Sequence, residues 1–451
     1  MKRSEFQKVC VIPPGASRRL ASENGLGVIY AVHDSAGFHV ERNGIPSGRT
    51  DYEIVSGLSI SADSEHVGYT GAQNLSWDVI KDGAVVTGKD PKGSPYHGWD
   101  NVSKSTPALS PDGKHITFGC YSNGQWYANL DGQLLGDPFS GFSPGGIAFS
   151  PDSRHIGYAG ALSGGWFAAV DRKRGPVYPT IGQRSWGFSP DSCRFAYVAA
   201  VRAEWVGDKL IGESSVIIND VPEQTWRMDD GSGLFEEIAF SPDSNRHAYW
   251  VTQSGKGFFV VDGRREPMAG GMVSGWAANP EWSKFPRTDR VESRAQPITF
   301  SPDSRHYVYA VSVNDECFIV RDGEAVISHW RICNLPIVYS ADSEHFAYVA
   351  ESRFGGSQSV WLDGVEMLGR HLGMAPIPPA FSPSSDRLAY VATSTSAYQI
   401  CINGDSHSLF GTPPYGAGPV WISNNHVQIM SESNLELAIE TFEATKDTGT
   451  S

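Results

Sequence analysis

Three long connections of this chain offer, among their acidic residues, the candidate carboxylates Asp100, Glu204, Asp208, Glu281, Asp289 and Glu292. Two carboxylates held about 5–10 Å apart hydrolyse glycosides, one as the acid and the other as nucleophile or base. Nothing in the spacing pairs these six, so the default expectation is ordinary solvated loop charges. The same segments hold Tyr96, His97, Trp99, Trp205, Trp276, Trp282 and Phe285. Aromatic rings displayed on loops suit stacking on a sugar face or anchoring a peptide. The first six of these, Tyr96 to Trp282, are the candidate ligand-binding residues. His66, His115, His155, His306 and His345 each follow an aspartate (Asp63, Asp112, Asp152, Asp303, Asp342) by three residues. A metal or catalytic centre uses one constellation, not a regular series, so these histidines are expected to hydrogen-bond that nearby carboxylate. No G-x-S-x-G or H-E-x-x-H occurs, and Cys10, Cys120, Cys193, Cys317, Cys333 and Cys401 form no C-x-x-C pair. No catalytic residue, metal or cofactor is expected, and the cysteines read as free thiols.

The histidine series belongs to an internal repeat. Ser-(Pro/Ala)-(Asp/Ser) followed by Ser or Gly begins at Ser61, Ser110, Ser150, Ser189, Ser241, Ser301, Ser340 and Ser382, with weaker copies at Ser22 and Ser423. The ten starts are on average about 45 residues apart, within the range of propeller blades. An apolar stretch precedes each turn, in which Pro presets φ. A second strand follows, carrying an aromatic six residues after the third turn residue: Tyr30, Tyr69, Phe118, Tyr158, Tyr197, Tyr249, Tyr309, Tyr348 and Tyr390. A third strand often opens on an aromatic (Phe38, Trp77, Trp126, Trp166, Tyr398). It ends at Asn-Gly or Asp-Gly, as at Asn43-Gly44, Asp82-Gly83 and Asp322-Gly323, a dipeptide suited to type I′ hairpins. A fourth strand leads to the next repeat. Such a unit buries its sheet faces only against neighbours, which predicts an all-β, single β-propeller of four-stranded antiparallel blades.

The run FSPDSRHIGY at 149–158 and its copies resemble the WD40-like (PD40) repeat of TolB-type propellers. The resemblance spans roughly residues 20–430. It implies the fold and leaves the function open. The tenth unit lacks a fourth strand, and the segment near 9–12 has no partner of its own. The expectation is therefore ten blades spanning 1–442, closed by that N-terminal strand, with 443–451 a flexible tail. Eight or nine blades, or two smaller rings, are the alternatives.

The remaining departures from the repeat are residues 88–106, 200–214 and 269–297. In an up-and-down blade the second-to-third and fourth-to-first connections emerge at one end, opposite the Ser-Pro-Asp and Asp-Gly turns. The reading is a binding scaffold that engages a protein, peptide or glycan through that face. The alternative is a carbohydrate-active hydrolase or lyase with its site at the channel mouth. With 36 Lys and Arg against 50 Asp and Glu, the net charge is −14. The longest basic run is Arg172-Lys173-Arg174, a hairpin tip, so no nucleic-acid partner is expected. No apolar run approaches a membrane span, and a monomer is expected. Ser4, Glu5, Gln7 and Lys8 interrupt the N-terminal apolar positions. That favours a cytoplasmic protein, the alternative being export with a signal removed.

Overall fold

The computed structural model describes residues 2–444 apart from 13–15, 23, 25–26, 50, 90–94, 97, 104–106, 208, 229–237, 254–255, 267–297, 314–315, 330, 333–335, 352–357, 368–372, 375–376, 395–396, 414–417 and 435. Its described elements are strands, assembled into ten four-stranded antiparallel blades of a β-propeller. The chain divides into two compact units, residues 13–240 with 249–255, and residues 1–12, 241–248 and 256–451.

The first unit holds five complete blades. Blade 4 shows the plan: Gly141–Phe149, Ile156–Leu162, Gly165–Val170 and Lys173–Tyr178 pair in sequence order. Its first strand bulges between Phe142 and Ile147. Blade 5 repeats that bulge between Ile181 and Trp186. In blade 3 the first strand is split into Asn101–Val102 and Ala108–Leu109. Extra residues of this kind bend a strand and interrupt its ladder.

The second unit holds blades 7 to 10, while the strands of blade 6 divide between the two units. Blades 8 and 9 again have split first strands, Arg331–Ile332 with Val338–Tyr339 and Gly373–Met374 with Ala380–Phe381. In blade 10, Val420–Ser423, His426–Ser433 and Glu436–Glu443 are completed at the outer edge by Lys2–Val11. The expected clasp exists, but it is longer than 9–12. It runs from Lys2 opposite Glu443 to Val11 opposite Glu436, with two register shifts. Glu443 ends the last strand and Ala444 is buried, so the ordered blade reaches two residues past the expected boundary.

Each core follows from the repeat. All nine register aromatics, Tyr30 to Tyr390, are at most 1% exposed. They fill the space between successive blades, where a large ring removes much apolar area from water. Tyr69 packs with Ala31, Val40 and Tyr52, and Tyr158 with Phe139 and Phe167. Two of the buried hydroxyls show how they are matched: Tyr69 donates to the Ser47 carbonyl, and Tyr348 pairs with His329 Nε2 at 2.7 Å.

The hairpins have positive φ at both central residues, as at Asp82 (49°) and Gly83 (82°), which is the type I′ geometry the sequence calls for. The basic triplet begins at a hairpin tip, Asp171-Arg172, where Asp171 has φ 55°. The repeat serine seals its own turn: Ser150 Oγ donates to Asp152 Oδ1 at 2.5 Å and accepts from the His155 amide at 2.9 Å. The turns also link blades. The Asp112 and Asp152 amides donate to Ser153 and Ser192 Oγ in the first unit. Those of Asp243, Asp303 and Asp342 reach Ser304, Ser343 and Ser385 in the second.

The histidine series takes a different partner from the expected one. His66, His115, His155, His306 and His345 do not bond the turn aspartates. Their Nδ1 atoms lie 2.6–2.9 Å from the hairpin aspartates Asp82, Asp131, Asp171, Asp322 and Asp363. The turn carboxylate is already occupied by the serine hydroxyl and a backbone N–H, so the ring reaches across the blade end. The other oxygen of each hairpin carboxylate accepts the amide after the histidine, as Val67 N to Asp82 Oδ1 at 2.8 Å. Each pair thus fastens two adjacent turns.

Candidate functional site

The ends of the blades opposite these turns were expected to present the candidate residues. Of the six, Trp99 is described in full, and it is a core residue. It is 1% exposed and packs with Val79, Val102 and Phe118. Backbone hydrogen bonds to Trp77 in both directions (2.7 and 2.8 Å) draw residue 99 inward. A ring buried on all sides offers no stacking platform, so Trp99 leaves the candidate surface. Tyr96 belongs to the short strand Pro95–Tyr96, paired with Gly88–Lys89. Trp205 lies opposite Leu210 in a paired segment. His97, Trp276, Trp282 and Phe285 lie outside the described residues, as do Asp208, Glu281, Asp289 and Glu292. Of the described positions, Trp99 is thus removed from the binding surface, and Tyr96 and Trp205 are placed by their strand pairing.

The connection expected at 200–214 is a different object. Phe195–Val206 and Lys209–Ile218 run as one antiparallel ribbon with a register shift between Ala200 and Arg202. The pairs Ala203 with Gly212 and Glu204 with Ile211 lead to Val206 with Lys209, around a turn with Gly207 at φ 67°. Blade 5 therefore carries an extension beyond its first strand, whose pairing stops at Thr180 opposite Ala200. The fourth strand, Val221–Met228, supports the ribbon only as far as Met228 opposite Gly212. Gly212 has φ 148°, and a Cβ there would meet the Arg202 carbonyl oxygen at 2.0 Å. This is a close backbone approach that glycine alone permits. Outward side chains are mixed: Arg202 and Glu204 are exposed, Val206 is half exposed, and Arg202 lies 3.7 Å from Glu213. Alternation over Val201–Trp205 before Gly207-Asp208 is the signal that identifies a hairpin here.

Two of the original six carboxylates are described. Asp100 is exposed and accepts the Asn123 amide at 3.3 Å, whereas Glu204 sits on the ribbon. Among the described residues, no group of three or more His, Cys, Asp or Glu side chains could hold a metal ion. No described helix is long and apolar enough to cross a membrane.

The architecture defines the class as a ten-bladed β-propeller. No protein-family model and no curated protein matches the sequence. Among solved structures, the chain is similar to a eukaryotic initiation factor, at 12% identity over 82% of this chain and 96% of that one, with a TM-score of 0.41. It is similar to the GH74 enzyme of Niastella koreensis at 13% identity, over 96% of this chain and 78% of that one, TM-score 0.33. TolB from Acinetobacter baumannii matches at 15% identity over 58% of this chain and 62% of that one, TM-score 0.26.

Proposed function

We propose that this protein is a non-enzymatic binding scaffold of the TolB-like, WD40-like-repeat kind. In this reading it engages a protein, peptide or glycan through the blade ends bearing 88–106, 200–214 and 269–297. The observation that carries the reading is the blade 5 ribbon. A loop that only spanned two strands needs a few residues. Here the insertion is spent on a paired, projecting hairpin with polar and apolar side chains turned outward. Such a rigid ribbon suits recognition, because little conformational entropy is lost when a partner docks on it.

The test trims the ribbon. Replacing residues 201–213 by Asn-Gly closes Ala200 on Ser214, an existing pair, across a two-residue turn. Crosslinking, pull-down and glycan-array binding are compared for the whole and trimmed chains at matched melting temperature. Loss of a partner on trimming supports the reading. Partners retained in full, or sugar turnover that disappears with Glu204→Gln, would overturn it.

A further inference from the structure

Away from those connections, beside the turns of blade 6, two residues break the repeat in a correlated way. Glu266 donates its amide to the Phe259 carbonyl, the same ladder position that Ser47, Val86 and Met367 hold in their blades. In those three blades the position is uncharged; an acid recurs at Glu223 of blade 5, four residues after Asn219 as Glu266 is after Asp262. Tyr307 opens the second strand of blade 7, where Val67, Ile116, Ile156, Phe346 and Leu388 open theirs. The two deviations meet in a cavity of about 450 Å³, lined by Arg246, Val261, Asp262, Arg264, Glu266 and Tyr307. That volume lies within the usual range for small-molecule sites, about 300–1,000 Å³.

The charges in the cavity are unevenly satisfied. Arg246 is committed: Nε donates to Asp262 Oδ2 at 2.9 Å, and Nη1 to the Arg305 and Ser304 carbonyls at 2.8 and 3.3 Å. Glu266 is only 8% exposed, and its Oε2 has no hydrogen-bond partner among the described residues. Burial pushes its carboxyl above the usual range, opposed by a hydrogen bond from Tyr307. An acceptor left unmatched in a desolvated place is costly. Arg264 is exposed and makes no ion pair among the described residues. It stands two residues before Glu266, and successive alternate side chains share a strand face. Among the described residues, one surface therefore offers an unmatched carboxylate oxygen and a guanidinium without an ion pair, with Val261 and the Tyr307 ring beside them.

We propose that this cavity binds a free α-amino acid, its ammonium group on Glu266 Oε2 and its carboxylate on Arg264. A zwitterion supplies the missing cation and the missing anion together and adds no net charge. A purely cationic ligand would leave Arg264 facing it, and a purely anionic one would face Glu266. Val261 and the tyrosine ring would receive the ligand side chain.

The experiment titrates the full chain with each standard L-amino acid at neutral pH, by calorimetry and by thermal shift, alongside a panel of neutral monosaccharides. At least one amino acid is expected to bind at millimolar concentration or below. Its N-acetyl and methyl-ester derivatives should each bind about tenfold more weakly or worse, the loss of one charge-assisted hydrogen bond. Glu266→Gln and Arg264→Ala should each weaken binding by a similar factor. Neither should lower the melting temperature of the unliganded protein, which separates ligation from a folding defect. The proposal fails if no amino acid binds, if binding survives N-acetylation or both substitutions, or if monosaccharides occupy the site instead. None of these results depends on the ribbon, so this proposal and the scaffold reading stand or fall separately.

Discussion

Cutting Arg3 away from Glu440 should loosen the N-terminal strand of blade 10. Glu440 is fully buried, and Arg3 Nη2 lies 2.6 Å from its Oε2. The contact is ionic, since Oε2 is not aligned for a hydrogen bond. Oε1 accepts from Ser431 Oγ at 2.5 Å and from the Phe410 amide at 2.8 Å. Arg3 also donates to the Ser408 carbonyl and lies near the Phe6 and Phe442 rings. Removing one member of a buried pair costs about 3–5 kcal/mol, because the other charge stays desolvated. Arg3 is one-third exposed, so water relieves part of that penalty, and about 2 kcal/mol is the expectation for Arg3→Ala. Glu440→Gln keeps the side-chain acceptor and removes the charge, so Arg3→Ala in that background should cost about 1 kcal/mol or less. The coupling is then at least about 1 kcal/mol. Native-state hydrogen exchange reads it directly: amides in 2–11 and 436–443 should exchange about thirtyfold faster in Arg3→Ala, since each 1.4 kcal/mol is a factor of ten. Equal exchange in Arg3→Ala and the parent, or equal costs of Arg3→Ala in both backgrounds, would refute the reasoning that a buried charge holds this strand.

Three further outcomes are expected. Burial lowers the His329 imidazole to about 4, so the unfolded chain takes up that proton more readily; stability should fall as pH drops from about 6.5 towards 4, and His329→Gln should flatten that part of a pH-dependent denaturation series. In the turns, the Ser301 hydroxyl together with the Arg305 amide holds Asp303 below its ordinary range. That stabilisation is complete above the unfolded value near 3.9 and is lost below it, as pH falls through the lowered folded value, so Ser301→Ala should lessen the acid sensitivity below about pH 4 in the same measurement. Gly212→Ala places a methyl group against the Arg202 carbonyl at a φ that side chains rarely adopt; a local cost of about 1–3 kcal/mol should appear as faster exchange confined to 201–213, with the remaining blades of that unit unchanged.

The repeat was legible because its residues act locally. Asp-Gly and Asn-Gly must adopt positive φ wherever they join two strands. A Ser-Pro-Asp-Ser turn carries its own hydroxyl and carboxylate and so closes by itself. Tyr158 and its eight counterparts had to be buried because a blade has no other place for them. These constraints fix blades, strand order and the N-terminal clasp with no reference to distant parts of the chain. Which carboxylate a histidine would reach was not legible. His155 is nearer in sequence to Asp152, but Asp152 is filled by Ser150, and the hairpin folds Asp171 back within 2.9 Å.

The same division governs the candidate residues. Sequence alone marked 88–106 and 200–214 as departures from the repeat, since any excess length stands out against a period. Only the tertiary structure decided what each departure became. Trp99 went into the core because backbone bonding to Trp77 carries it inward, whereas residues 200–214 lengthened two strands because a glycine lets the backbones meet at Arg202. Only folding set Glu266 beside Arg264 and Tyr307, since the tyrosine arrives from the next blade. Local chemistry determined the blades of this protein, and the packing of one blade on the next determined which of its polar groups remain to be satisfied.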